Sequence, residues 1–179
     1  MSNKSKEVVI VNAIRTPIGT YKGSLKNMKS HALGSIVIKE VLSRSKFDKD
    51  EIDEVIMGQV LTTGAGQNPA RQAAINAGIP ISKPAHIINQ VCGSGLRAVI
   101  SGYQSIKLGE AKNIISGGQE NMSIAPHSIF YRDKKKISED KLLDTMINDG
   151  LIDAFNNYHM GVTAENVAKK FHISRQDQD

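Results

Sequence analysis

The 179 residues are enough for one domain of ordinary size, or for one domain and part of another. A hydrophobic fraction of 40%, with 23% charged and 4% aromatic residues and no Trp, is that of a soluble globular protein with an aliphatic core. One cysteine excludes an intramolecular disulfide, and no stretch is long and apolar enough to cross a membrane. The Lys and Arg residues behind the net charge of +5 are scattered among acids, so nucleic acid is not an expected partner.

Met1 to Lys6 is polar and is followed by no apolar run of signal-peptide length, so the expected compartment is the cytoplasm. Val8-Val9-Ile10-Val11 then reads as a β-branched strand. After a Gly-containing connection, Leu33, Ile36, Val37 and Val41 recur at helical spacing, with Ser30 as the expected N-cap. Glu54 to Met57 reads as a second strand ending at Gly58, and Gln59 to Asn68 as a loop. Asn68-Pro69 opens a helix, a capping side chain followed by Pro at the first helical position, and Gly78 and Pro80 stop it.

Ala85 to Val91 is a third strand, and Leu96, Val99, Tyr103 and Ile106 predict a helix running to Gly109. Lys112 to Ser116 predicts a strand that runs into Gly117-Gly118, where close packing is expected and no chemistry. This β-α-β-α-β-α-β order leads to a mostly parallel sheet covered by helices. From Glu120 the chain turns polar and loop-rich, which sets an expected division into 1–119 and 120–179. The second part carries predicted helices near Lys141 to Ile147 and from Thr163 to Phe171. Its basic cluster, Arg132, Lys134, Lys135 and Lys136, reads either as a solvated loop or as a contact to a phosphate-bearing cofactor. Ile173-Ser174-Arg175-Gln176-Asp177 has the pattern that opens a helix, which the end at Asp179 leaves unbuilt; the alternatives are a chain cut short and a frayed polar tail.

The tetrapeptide Cys92-Gly93-Ser94-Gly95 falls where the third strand should turn into its helix. Unpaired N–H groups and the dipole at a helix head favour negative charge on a sulfur held there, and the glycines allow a tight turn and the approach of a ligand. The competing reading of a lone cysteine is a small buried hydrophobe. The glycine-containing loops lack the spacing of a dinucleotide or P-loop fingerprint.

Five blocks carry a resemblance to a known family: Ala13-Ile14-Arg15-Thr16-Pro17-Ile18-Gly19, Gly66-Gln67-Asn68-Pro69-Ala70-Arg71-Gln72, Asn89-Gln90-Val91-Cys92-Gly93-Ser94-Gly95-Leu96, Gly117-Gly118-Gln119-Glu120-Asn121-Met122-Ser123 and His159-Met160-Gly161-Val162-Thr163-Ala164-Glu165-Asn166. In this order they resemble the thiolases, in the acetyl-CoA acetyltransferase branch, over essentially the whole chain. The resemblance implies the first half of a thiolase fold, a mixed, mostly parallel sheet with helices plus part of a loop subdomain. It implies acyl transfer through an acetyl thioester on Cys92, from acetyl-CoA to a second acetyl-CoA with acetoacetyl-CoA as product, or the reverse.

It also implies Met160 bordering the acyl group, His159 beside the pantetheine arm, and Gln59 to Arg71 at a subunit interface of a homo-dimer or tetramer. No metal and no permanently bound cofactor are expected, coenzyme A thioesters being substrates. Without the family, His159 and Met160 read as a loop histidine and a core methionine. The family's basic His and second Cys have no counterpart here, and His31, His86, His127 and His172 do not sit in the missing motif. The alternative is therefore a non-catalytic fragment acting as a dimerisation or binding module, with exposed apolar surface and poor solubility. A β-ketoacyl synthase relative is disfavoured by the long polar insertion after Gly118 and the His159-Met160-Gly161 block.

Overall fold

The computed structural model describes residues 7–132 and 142–179. The chain divides into two compact units, Met1–Ala125 and Pro126–Asp179. In the first unit a parallel sheet has the order β2-β1-β3, with β1 (Glu54–Gly58) central between β2 (Ala85–Ile88) and β3 (Ile114–Gly118). The register pairs Val55 with Ala85 and Ile115, and Gly58 with Ile88 and Gly118. Val55, Ile56 and Met57 are all buried, the continuous apolar run of a strand covered on both faces.

Helices α1 (Ser30–Ser45), α2 (Pro69–Asn76) and α3 (Ser94–Leu108) cover this sheet. Side-chain parity assigns the faces. Val55, Met57 and Ile115 join Ile38 of α1 and Ala70, Ala73 and Ala74 of α2 in the core. Ile56 and its register partner Ser116 point the other way, towards α3, where Gly102 lies so close that a Cβ would stand 2.5 Å from Ser116 Oγ.

Helix α2 begins as expected. Asn68 Oδ1 accepts from Arg71 N–H at 3.1 Å, Pro69 follows at the first position, and Gly78 at φ +93 lies beyond the end. Helix α1 differs from expectation. Its N-cap is Lys29, with no side-chain bond, and Ser30 is the first helical residue. The buried stripe is Ser30, Gly34, Ser35 and Ile38, whereas Ile36 is 48% exposed. The reason is size: small residues on α1 and the alanines of α2 let the two helices approach, so that a Cβ added at Gly34 would lie 3.3 Å from Ala73 Cβ. The buried ridge is set by what fits between the helices.

The expected first strand does not form. Val8–Val11 joins no ladder among the described residues, and Val9, Ile10 and Val11 are exposed. Val8 to Ile14, α1, α3 and β3 together line an apolar cavity of about 610 Å³. The segment therefore stands off from the β3 edge. A β-branched run specifies an extended backbone; the ladder needs a neighbour within hydrogen-bond reach.

The first unit runs to Ala125 because polar side chains tie residues 119–123 back into it. Asn121 Nδ2 donates to the carbonyls of Leu25 at 3.0 Å and Met28 at 2.6 Å, and Ser123 Oγ accepts from Lys22 N–H at 2.9 Å.

In the second unit β4 (His127–Ser128) pairs antiparallel with β5 (Leu143–Asp144). The helix expected over Lys141–Ile147 is α4 (Thr145–Gly150), because Asp144 Oδ1 captures the N–H groups of Met146 and Ile147 and sets the start there; Lys141 lies outside the described residues. Helix α5 (Met160–Phe171) starts at Met160, ahead of the expected Thr163. The Ser174 and Asp177 capping box builds one turn, α6 (Arg175–Gln178), where no helix was expected to be complete. Of the basic cluster, Arg132 is described and exposed; Lys134, Lys135 and Lys136 lie outside the described residues. No helix among the described residues is long and apolar enough to cross a membrane.

The glycines at the strand ends give a direct test. A Cβ on Gly58 would lie 2.3 Å from the Ser94 carbonyl carbon, whereas one on Gly117 would meet nothing nearer than 4.0 Å. Gly58→Ala is expected to lower unfolding free energy by about 3 kcal/mol and Gly117→Ala by less than about 1 kcal/mol. Urea denaturation followed by circular dichroism measures both, and equal losses would contradict the packing described here.

Candidate active site

The turn between β2 and α3 is built from side-chain bonds to its own backbone. Strand β2 ends at Ile88, short of the expected Val91, because the chain then bonds to itself: Asn89 Oδ1 accepts from Val91 N–H at 3.0 Å. Gly93 N–H donates to Gln90 O at 3.0 Å and Ser94 N–H to Val91 O at 3.1 Å. Ser94 Oγ accepts from Gln90 N–H at 2.9 Å and donates to Val91 O at 2.5 Å. Val91 is thereby held at φ +48, a left-handed conformation that costs a β-branched residue on the order of 1–3 kcal/mol.

Cys92 follows this strained residue and is exposed, which removes the reading of a buried hydrophobe. It stands one residue before the N-cap Gly93 and outside the helix proper, a step earlier than a seat in the first turn. The remaining residues of the tetrapeptide have packing reasons. A Cβ on Gly95 would lie 3.7 Å from Gly118 Cα, and one on Gly93 would lie 3.3 Å from Gln90 O. Ser94 is buried. The helix thus begins directly over the carboxyl ends of β1 and β3, with Cys92 on the solvent side.

Beyond those strand ends lies a polar layer that the sequence reading missed. Gln119 N–H donates to Gly58 O at 3.0 Å and Gln59 N–H to Ile88 O at 3.1 Å, each prolonging the sheet by one bond. The side chains are buried and joined, Gln119 Nε2 donating to Gln59 Oε1 at 2.8 Å and Gln59 Nε2 to Leu61 O at 2.7 Å. Glu120 Oε2 accepts from the N–H groups of Val60 at 2.8 Å and Leu61 at 3.2 Å. The available signal was the run Gln119-Glu120-Asn121 directly after an apolar strand, where polar side chains meet unpaired strand-end groups.

His159 and Met160 belong to the second unit, side by side at the head of α5 and both exposed. Met160 is therefore not a core methionine. His159 is the N-cap: its Nδ1 accepts from Gly161 N–H at 3.0 Å, so the neutral ring carries its proton on Nε2. The other histidines are dispersed. His31 sits in the first turn of α1, His86 Nδ1 lies 2.9 Å from Glu54 Oε1, His127 is on β4, and His172 closes α5 at φ +55. No histidine among the described residues hydrogen-bonds the Cys92 sulfur. Nor do three or more His, Cys, Asp or Glu side chains converge among the described residues as a metal site would require.

Together these features define an α/β protein with one exposed cysteine presented on a strained strand-to-helix elbow. Residues 8–179 match the family described as the N-terminal domain of thiolase, and the chain belongs to the thiolase family. It is 54% identical over 173 residues to an acetyl-CoA acetyltransferase of Paracoccus denitrificans, covering 97% of this chain and 44% of that one. To the cytosolic acetyl-CoA acetyltransferase of Rattus norvegicus it is 52% identical over 179 residues, 100% of this chain and 45% of that one. A crystal structure of the Ascaris suum Acat5 thiolase in complex with coenzyme A matches with a TM-score of 0.84 at 36% identity, over 91% of this chain and 42% of that one. The chain thus spans a little under half the length of these relatives.

Burial pushes the Glu120 carboxyl above its ordinary value of 4.5, against the opposing pull of the Val60, Leu61 and Asn121 N–H groups. A carboxyl raised in the folded state contributes stability that is full below the unfolded value and is lost as pH rises through the folded one. Glu120→Gln removes this titration. Its stability relative to wild type is therefore expected to increase between pH 4 and pH 7. Denaturant titrations across that range check the sign, and a difference that stays flat or falls would refute it.

Proposed function

We propose that this chain supplies the nucleophile of an acetyl-CoA C-acetyltransferase, with Cys92 as the acyl-carrying residue. The carrying observation is the exposed sulfur on the Val91 elbow at the mouth of α3. Cys92 Sγ attacks the thioester carbonyl carbon of acetyl-CoA; the new S–C bond forms, the bond to the CoA sulfur breaks, and CoA leaves as its thiolate. The enolate carbon of a second acetyl-CoA then attacks the acetyl-enzyme, forming the C–C bond of acetoacetyl-CoA and releasing Cys92. Both steps run backwards under the reverse flux. Exchange between thioesters is nearly balanced in energy, so the acetyl-enzyme is reactive rather than a trap, and two displacements replace one harder step.

Each step places negative charge on the carbonyl oxygen, and the Cys92 backbone N–H is the donor we assign to it from this half. Met160 borders the acyl group, and His159, whose Nε2–H is left free of the capping bond, lies along the pantetheine arm. The groups that move protons, a histidine and a second cysteine in the thiolase pattern, have no counterpart among these 179 residues and must come from additional polypeptide. In this reading the assembly is a homo-oligomer with Gln59 to Arg71 at a subunit interface. It works in the cytoplasm and uses CoA thioesters as substrates with no resident cofactor.

Acetyl-CoA added to the purified chain is expected to leave an acetyl group on the Cys92 peptide, detected by mass spectrometry and lost in Cys92→Ser. Acetoacetyl-CoA is not expected from this chain alone. An intact chain that takes no label would favour the binding-module reading, and faster labelling by a longer acyl-CoA would overturn the short-chain assignment.

A further inference from the structure

We infer that Asn89 and Ser94 are positioning residues that clamp Val91 from both sides and so aim the Cys92 N–H; the inference rests on Cys92 being the acylated residue. Three consecutive peptide groups are involved. Ser94 Oγ accepts the N–H of the peptide joining residues 89 and 90, at 2.9 Å. Asn89 Oδ1 accepts the N–H of the next, at 3.0 Å. Ser94 holds the carbonyl of the third, Val91 O, through both its hydroxyl at 2.5 Å and its own N–H at 3.1 Å.

That third peptide is the one whose N–H belongs to Cys92. A trans peptide is planar, with its C=O and N–H pointing in opposite directions. Anchoring Val91 O on Ser94 at the base of the turn therefore directs the Cys92 N–H away from that base. Left to itself, a β-branched residue relaxes to negative φ and rotates these planes relative to one another. Ser94 is buried and its hydroxyl has both donor and acceptor roles filled within the turn, so it has no proton or lone pair committed elsewhere. Its part in the reaction runs through the backbone.

Orientation of an N–H matters for attack on a carbonyl, which generates an oxyanion, and not for alkylation, which does not. The test therefore compares rates at the Cys92 peptide for acetyl-CoA, for p-nitrophenyl acetate, an acyl donor without a CoA portion, and for iodoacetamide, with Cys92→Ser as background. Asn89→Ala and Ser94→Ala are each expected to slow both acetylations about 10-fold or more while alkylation changes less than about 2-fold. In a Val91→Gly background the same substitutions are expected to cost under about 3-fold, since glycine takes positive φ freely. Asn89 is exposed, so its variant carries the test even where Ser94→Ala fails to fold.

Unchanged acetylation, equal slowing of all three reagents, or an undiminished loss in the Val91→Gly background overturns the clamp. Wild-type chain that reacts with p-nitrophenyl acetate but not acetyl-CoA overturns the CoA reading, and the clamp is then decided by the p-nitrophenyl acetate rates. No acyl transfer to Cys92 from either donor overturns both.

Discussion

The arrangement depends on one close approach of backbone to backbone. The first turn of α3 sits against the ends of β1 and β3, with Gly58, Gly95 and Gly118 in mutual contact. A Cβ at Gly58 would clash with the Ser94 carbonyl group at 2.3 Å, and because the clash is with backbone no rotamer could relieve it. From this contact follow the position of the turn that precedes the helix, and the exposure of Cys92 on its outer side. The strain at Val91 is a consequence too. A chain leaving β2 has only Asn89 to Gly93 in which to reverse into α3, and positive φ at one residue closes the turn within that length.

The polar layer beyond the strands answers a different constraint. Strands that end beneath a tightly seated helix leave N–H and C=O groups with no access to water, and each unpaired one costs about 1–3 kcal/mol. Gln59 and Gln119 continue the ladder with their backbones and then bond one another with their side chains. Glu120 serves two further N–H groups at the cost of partial burial of its charge. Gln119 Oε1 has no hydrogen-bond partner among the described residues; it occupies the space that a Gly34 Cβ would fill, so the absence of a side chain on α1 is what admits it. A buried carboxamide and a glycine on a neighbouring helix thus form one feature.

What was legible in the sequence was whatever local chemistry decides. The Asn68-Pro69 start, the central strand ending at Gly58 and the Ser174 to Asp177 box are short-range signals that tertiary packing reinforces. Ser30 and Ile36 were misplaced because the side of α1 that packs is chosen by the small residues of α2, at long range. Val8–Val11 was misread for a related reason, since extended backbone is intrinsic but a ladder partner is not. Cys92 stands out in the sequence because a lone thiol followed by Gly93-Ser94-Gly95 after an apolar run is conspicuous. The bonds that Asn89 and Ser94 make to the backbone of the turn are not legible there, because residue type alone does not reveal a hydrogen-bond partner.

Helix α3 links the elbow to the rest of the surface. One side, Ala98 and Gly102, is buried against the sheet, while Leu96, Val99, Ile100 and Tyr103 remain exposed, as do Val9, Ile10 and Val11 across the cavity. Apolar area left in water forgoes about 25 cal/mol per Å², so this helix is held on one side only and draws less stabilisation than a helix buried on two. Its N-terminus is also the platform on which the Val91 turn is closed, through Ser94. Any surface that covers the outer side of α3 would therefore stabilise the helix and, through the same residue, the turn that carries Cys92. A single helix, fifteen residues long, thus takes part both in packing on the sheet and in closing the turn that carries Cys92.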